Sequence, residues 1–465
     1  MTHKLTAWIL MCIALFCCGT LYAQEQEPVD EASLFSFDEE VLFGDEFGGI
    51  EYIEESETGT AVRNFLTTEK VRIGGIYTGS LTPSWMWKDL DSPSFDLFSA
   101  DSSLGVDLGV KVFFDARPDE ETRFYGAVKS SWPFAENTSL FELFADRSWN
   151  DQLFFRFGKH TVKWGVGYFW SPADVINISQ IDVSDPTAQR EGPISLRLHV
   201  PILKTQQNIW AYALLDEKSS SGIPSPEDIA LAFKYEFLLD TYEIGIGTFY
   251  QHGKAPKAMV TATGSVWRLN VFGEVVLGWG SDKYWVDSLE SGVSTSQDDE
   301  GLYVSLTAGF SYQDTPNNIS CMFQYFYNGE GYSFGKRENL LGSDADVLTL
   351  NSAIPTDTEE LEALSGLLYQ SGMHYIGIYM GKDKLFSEKV SVGLLSITNL
   401  MDLSGILQPS VSYTFFEGFT ASLTPSFAWS TDLLWGMGDY GEYVLLYGGP
   451  SVTVGFKIGL GSGNF

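Results

Sequence analysis

Basic residues are scarce in this 465-residue chain, where 28 Lys and Arg stand against 61 Asp and Glu for a formal charge of −33. A surface of that sign repels phosphate backbones, so nucleic-acid binding is excluded as a function class. Cysteine is nearly absent: Cys12, Cys17 and Cys18 lie at the very start, and Cys321 stands alone in the remainder. One thiol makes no intramolecular disulfide, and no Cys/His set has zinc spacing. After residue 23 no apolar run reaches the length of a helical membrane span, about 18 residues. Catalytic signatures are missing too. His160, His199, His252 and His374 occur in neither a Gly-x-Ser-x-Gly turn nor an HExxH helix, and the glycine-rich stretches lack the strand-loop-helix setting of a phosphate cradle. No catalytic residue, metal site or cofactor is expected.

What is present is apolar, aromatic and glycine-rich: 44% hydrophobic, 15% aromatic and 46 glycines, which excludes disorder over the whole chain. His3-Lys4 precede an almost wholly apolar run from Leu5 to Cys18, then Gly19-Thr20-Leu21-Tyr22-Ala23. This is the pattern of an export signal, residues 1–23, with a cut after Ala23; a rival reading makes Cys18 a lipid-modified terminus. Residues 24–70 form an acidic extension, rich in Asp and Glu with interleaved Phe and Leu. It reads as a solvated leader, a periplasmic handle or part of a plug.

After residue 70 the pattern changes to period two. From Leu104 to Phe114 every even position is apolar while the odd ones include Gly105, Asp107 and Lys111, and the same rhythm runs through Leu302–Phe310 and Ala421–Trp429. A two-faced strand makes that pattern and a helix does not. The rule marks 18 strands at 71–79, 103–116, 122–133, 138–148, 153–164, 193–201, 208–216, 229–239, 242–252, 257–267, 270–281, 301–313, 318–329, 373–383, 389–400, 406–416, 420–430 and 446–460. Their connections alternate between long and short, which a soluble sandwich has no reason to do. A closed antiparallel transmembrane β-barrel does, because its periplasmic turns stay short and its extracellular loops grow. Residues 71–465 are therefore expected to form an all-β barrel of about 18 strands, with 16 as the lower alternative. Trp85, Trp87, Trp132, Trp149, Trp267, Trp285 and Trp429 fall near strand ends, as interface girdles require. Within the longest connection, Thr356–Leu368 has helical spacing behind acidic residues and predicts a short amphipathic helix.

Two stretches resemble known proteins. Thr453-Val-Gly455-Phe-Lys-Ile458-Gly-Leu460, in a chain ending in Phe465, is similar to the insertion signal of bacterial outer-membrane barrels. The resemblance implies that Thr453–Leu460 is read by the barrel-assembly machinery. Gly158-Lys159…Trp164-Gly165, followed by Pro172-Ala173-Asp174-Val175-Ile176-Asn177, resembles the GK…WG…P-x-D-x-x-N strand and loop of porin-like, mostly uncharacterised barrels. That implies fold and compartment and leaves the solute open.

If the apolar face of each strand meets lipid, phase alone places Asp107, Lys111, Asp115, Arg123, Lys129, Glu142, Asp146, Arg156, His160, Arg197 and His199 in the lumen, with Lys234, Glu236, Glu243 and Glu274 on later strands. These charges either set the selectivity of a bore, with Arg156, His160 and Arg197 at its narrow zone, or pair among themselves to keep a lumen wet and rigid. The third long loop, 165–192, carries Trp170, Asp174, Asp182, Asp185 and Arg190, and is expected to fold inward and set its carboxylates against the basic wall. The sequence thus reads as an outer-membrane porin-like channel for passive diffusion of small hydrophilic solutes or ions. The alternatives are a transporter of hydrophobic substrates with an N-terminal plug and a surface adhesin with a closed barrel. Outer-membrane lipid, small solutes and a homo-oligomeric partner are the compatible companions.

Overall fold

Alternating apolar residues need a closed sheet if both faces are to be satisfied, and the chain makes one. The computed structural model describes residues 71–87, 100–150, 152–178, 181, 190–215, 225–289, 293–342, 357–416, 418–430, 441–447 and 451–460. In chain order the strands are β1 (Val71–Met86), β2 (Asp101–Asp119), β3 (Thr122–Ser131), β4 (Asn137–Trp149), β5 (Leu153–Lys159), β6 (Ile194–Ile202), β7 (Gln207–Leu215), β8 (Ile229–Leu239), β9 (Tyr242–Tyr250), β10 (Lys257–Val266), β11 (Leu269–Trp279), β12 (Trp285–Ser288), β13 (Ser294–Ser296), β14 (Leu302–Asp314), β15 (Ile319–Tyr327), β16 (His374–Lys382), β17 (Val390–Asn399), β18 (Ser404–Phe416), β19 (Phe419–Trp429) and β20 (Ser451–Leu460). All but β12 and β13 belong to one 18-stranded antiparallel sheet, closed by the pairing of β1 with β20. Closure leaves no sheet edge. A barrel of 18 strands is wide enough to leave an aqueous lumen unless something fills it.

One face of each strand is apolar and exposed: Leu104, Val106, Val112 and Phe114 on β2, Leu231 and Phe233 on β8, Val275 and Leu277 on β11, Leu423 and Phe427 on β19. These side chains point away from the axis. The opposite phase carries the charges and hydroxyls. Turns of two to seven residues join β2 to β3, β4 to β5, and so on through β18 to β19, at one end of the barrel; most longer connections, including 160–193, 280–301 and 328–373, emerge at the other. Aromatics ring both ends, with Trp149 and Trp267 at the short turns and Trp132 and Trp279 opposite. Trp285, expected in such a ring, instead belongs to the β12–β13 hairpin, where it stacks on Tyr303 and donates to the Glu330 carbonyl.

Three expected strands have other bounds, the first being β1, which runs to Met86 instead of stopping at 79 because β2 pairs with it as far as Asp101. β5 stops at Lys159 instead of continuing to 164, because Gly158 has φ +132°, a backbone angle that side-chain-bearing residues avoid, and the chain turns off the wall. β20 begins at Ser451 instead of 446, because Glu442–Tyr447 is a helix. The amphipathic helix of the long connection forms at Thr358–Leu368, capped by Asp357, whose side chain accepts from Glu359 N. With Phe334–Gly342 as α1, Thr358–Leu368 as α2 and Glu442–Tyr447 as α3, the helices and the β12–β13 hairpin gather at the long-loop end. Val286, Tyr332, Leu341, Ala363, Leu364 and Leu367 form a second core there, so α2 is part of a packed cap. The export signal and the acidic extension lie outside the described residues.

Candidate functional site

The inward faces of β2 to β8 carry a continuous ladder of charges and rings. Arg123 grips Asp115 through two parallel bonds, Nε to Oδ1 at 2.9 Å and Nη2 to Oδ2 at 3.1 Å. Arg156 grips Asp146 in the same way, at 2.6 and 2.9 Å. Such fork-to-carboxylate pairs fix both partners. The Arg156 guanidinium lies 3.9 Å from the centre of the Phe144 ring, and Arg123 faces Tyr125 at 5.3 Å. A bulge in β4, opposite Ala127 and Val128, lets Phe141 and Glu142 both face inward, and Lys111 and Lys129 stand over the Phe141 ring at 4.9 and 5.9 Å.

Arg197 stands opposite Arg156 in the β5–β6 register and over the Trp210 ring. His199 stacks flat on the same indole, at 3.7 Å and 4°, and its Nε2 meets Asn208 Oδ1 at 3.0 Å. Trp210 in turn donates to Glu236, which also pairs with Lys234 at 2.8 Å. The ladder is therefore largely compensated: two arginines are neutralised by aspartates, while Arg197 sits among rings beside another cation. Opposed like charges on neighbouring strands cost stability.

The segment after β5 crosses the lumen. His160, one of the residues expected to line the bore, is instead buried at the root of this segment, edge-on to Phe144. Thr161 N reaches Glu142 Oε1 at 3.3 Å, Trp164 packs among Tyr212, Leu214, Phe249, Met259 and Val276, and its carbonyl accepts from Lys234 Nζ at 3.0 Å. The tight turn that follows wraps the carboxylate of Glu274 on β11. Its Oε1 accepts from Val166 N, from Gly167 N at 2.7 Å and from Ser171 Oγ at 2.8 Å; its Oε2 accepts from Ala173 N at 3.0 Å. Glu274 is 1% exposed. A ring of backbone N–H groups is a natural nest for one negative charge, and this one is filled by a wall residue.

Gln324 on β15, 0% exposed, completes the attachment. It accepts from Tyr168 N at 3.0 Å and Phe169 N at 2.8 Å, and donates to the Trp170 carbonyl at 2.5 Å and to Thr307 Oγ1 at 2.6 Å. Trp170 then stacks on Phe326 and tilts against Tyr375, in a cluster that also takes Phe169, Ile397, Ile406 and Tyr443 of α3.

The resemblance motif has a physical meaning in this segment. Asn177 accepts from Val162 N at 3.0 Å and donates to the Val162 carbonyl at 2.6 Å and to Asp174 at 2.9 Å, closing the base of the turn. A Cβ on Gly165 would fall on Ser171 Oγ, and one on Gly167 on the Trp170 carbonyl, so the turn tolerates only glycine at both. Asp174 was expected to face the basic wall; it instead pairs with Arg190 of its own segment. Burial of that carboxylate requires such a partner. Asp182 and Asp185 lie outside the described residues.

A second tucked segment follows β19. Glu442 of α3 accepts from Gln370 N, Ser371 Oγ, Tyr375 OH and Asn399 Nδ2 at 2.7 to 2.9 Å, and its burial pushes its carboxyl above the usual range. In the cap, Lys283 donates to the Glu330 carbonyl at 2.9 Å, and burial lowers its ammonium to about 8. Next to the charged ladder, on the wall that runs into β2, strands β17 to β20 and β1 offer chiefly hydroxyls: Thr78, Ser80 and Thr82 on β1, Ser410 and Ser412 on β18, Ser422 and Thr424 on β19.

Sequence phase found the ladder but missed Gln324 and the function of Glu274. Gln324 is the one strongly polar residue in Met322-Phe323-Gln324-Tyr325-Phe326, a signal that an apolar stretch had a polar duty. Among the described residues no group of three or more His, Cys, Asp or Glu could hold a metal ion.

No family model matches the chain, and no curated protein matches it. Among solved structures it is similar to Pseudomonas aeruginosa OccK8 (OprE), at 10% identity and TM-score 0.47, covering 84% of this chain and 98% of that one. It is similar to Pseudomonas aeruginosa OpdQ at 8% identity and TM-score 0.47, over 84% and 97% of the two chains. Salmonella typhi OmpF in complex with daunomycin is similar at 10% identity and TM-score 0.41, again over 84% and 97%.

Proposed function

We propose that this chain is an outer-membrane porin-like channel through which small hydrophilic solutes or ions diffuse passively. One observation carries the reading: the closed barrel turns its leucines, valines and phenylalanines outward while a charged and hydroxylated lumen is crossed by a segment fastened to the opposite wall. Apolar outside and polar inside is the pattern of a spanning barrel, and closure pairs every backbone group where lipid offers no partner. Tryptophans at both ends suit the two membrane interfaces. The short turns then face the periplasm and the cap faces outward.

In a narrowed bore, paired ladders still present donors. Arg123 and Arg156 show a passing solute one face of a guanidinium fixed by its aspartate, while the adjoining hydroxyl wall supplies neutral partners. A transverse gradient from charge to hydroxyl orients polar solutes and weights ion flow. Purified, folded protein in planar bilayers tests this. The channel conducts, and Arg156→Glu moves its selectivity towards cations; folded protein that does not conduct would overturn the reading and favour an adhesin.

A further inference from the structure

The short-turn end of the barrel has one turn unlike the rest. Between β16 and β17 lie seven residues, 383–389, where the other short turns have two to four. Its tip, Phe386, is 98% exposed, and both Lys384 and Phe386 adopt left-handed backbone (φ +56° and +60°), which projects the tip away from the sheet. Three lysines flank it in a chain short of them. Lys382 lies in the outward phase of β16 and reaches the Asn317 carbonyl, Lys384 is exposed, and Lys389 reaches across to the Phe415 carbonyl at 3.1 Å. The acids of the turn are Asp383 and Glu388, both exposed, and neither forms an ion pair among the described residues.

Beside these lysines the outward face of β18 and β19 is an aromatic floor. Tyr413 meets Phe415 at 4.9 Å, and Phe419 stacks with Phe416 at 5.2 Å and tilts against Phe415 at 5.4 Å; Tyr413, Phe415 and Phe416 are all exposed. The floor continues upward into the outward apolar band through Val411 and Leu423. An apolar floor that runs into the lipid-facing band, rimmed by cations at its end, has the two halves of one ligand chemistry. Acyl chain lies on rings, and phosphodiester meets ammonium groups.

We propose that this corner, Lys382, Lys384 and Lys389 above the floor of Tyr413, Phe415, Phe416 and Phe419, is a binding site for one anionic phospholipid of the leaflet at the short-turn end, with Phe386 inserted beside it. The inference rests on the reading that the barrel spans a membrane. Native mass spectrometry of the full chain released from nanodiscs of phosphatidylglycerol or of phosphatidylcholine tests it. Wild type retains phosphatidylglycerol preferentially, and the preference falls by about fivefold for each reversal of Lys384→Glu and Lys389→Glu. Lys204→Glu, an exposed lysine in the turn between β6 and β7, leaves it unchanged, and circular dichroism reports that each variant keeps its sheet. Equal retention of both lipids by inserted wild type, equal loss with Lys204→Glu, or a second copy of the chain on this corner in place of lipid would overturn the site alone. Failure to enter nanodiscs at all would overturn the membrane reading beneath it.

Discussion

The two halves of the barrel wall use their inward polar residues for opposite purposes. On β11, β15, β16 and β17, the groups facing inward are buried and hold tucked segments: Glu274 and Gln324 grip the backbone of the turn after Trp164, while Tyr375 and Asn399 hold the carboxylate of Glu442 of α3. On β2 to β6, Glu142 with its bond to Thr161 N apart, and on β18 to β1, the inward groups chiefly pair laterally or stand as hydroxyls, as in Arg123–Asp115, Arg156–Asp146 and Ser84 with Ser103. A charge in a lumen can thus be mortar or lining. The difference follows from what lies opposite it: an N–H that has left its own sheet must be satisfied, whereas a guanidinium beside water need only be oriented.

The comparison breaks most severely at Glu274. Glu274→Ala strands four donors, Ala173 N buried and the other three part-buried, each costing up to about 1–3 kcal/mol, so the barrel melts earlier and single-channel conductance rises as the turn comes free. A variant with unchanged conductance would mean that the turn does not bound the bore. Gln324→Leu also removes four hydrogen bonds, but it removes no charge and leaves a side chain of similar size, so its expected effect is a smaller opening with increased current noise, read in the same recordings, at a stability loss of about 1–3 kcal/mol.

On the lining side, Asp146→Asn leaves Arg156 charged and unpaired. Because the pair is partly exposed, melting should shift by less than about 1 kcal/mol, while the reversal potential moves towards anions. In the cap, Lys283 has its folded-state pKa lowered from 10.5 to about 8 by burial. Burying the ammonium therefore weakens the cap below pH 8, and the penalty fades as pH rises from about 8 towards 10.5. Proteolytic nicking of the cap should slow between pH 7.5 and 9.5 relative to a Lys283→Met variant, which should show no such trend. Thr82→Val on the hydroxyl wall, facing Gly105, should change stability by within about 0.5 kcal/mol and leave conductance alone.

Much of the barrel was legible because period-two alternation registers which face meets which medium, and a closed sheet enforces it on every strand. The misreadings occurred where alternation outlives the wall. His160 to Trp164 keep a strand-like rhythm, yet Gly158 sends them into the lumen, where Val162 and Trp164 find an apolar partner on β7 to β11. Residues 446 and 447 kept an apolar pattern while belonging to α3. For the site, phase gave the ladder of Lys111, Arg123, Lys129, Arg156 and Arg197, since any inward charge shows as a polar residue in an apolar strand. It could not give Glu274 its ligands, because they come from residues over a hundred positions away in sequence. The short β12–β13 hairpin was invisible for the same reason: its stability comes from Tyr332, Leu341 and Leu367, far along the chain.

The orientation of the two faces is the premise beneath all of this, and single cysteines along β19 examine it most directly. In a Cys321→Ser background reconstituted in vesicles, a membrane-impermeant thiol reagent should label cysteines at Ser422 and Thr424 but spare those at Leu423 and Phe427. Quenching by brominated acyl chains of a fluorophore attached at each position should show the reverse order. Labelling that ignores the alternation, or that favours Leu423 and Phe427, would contradict the account.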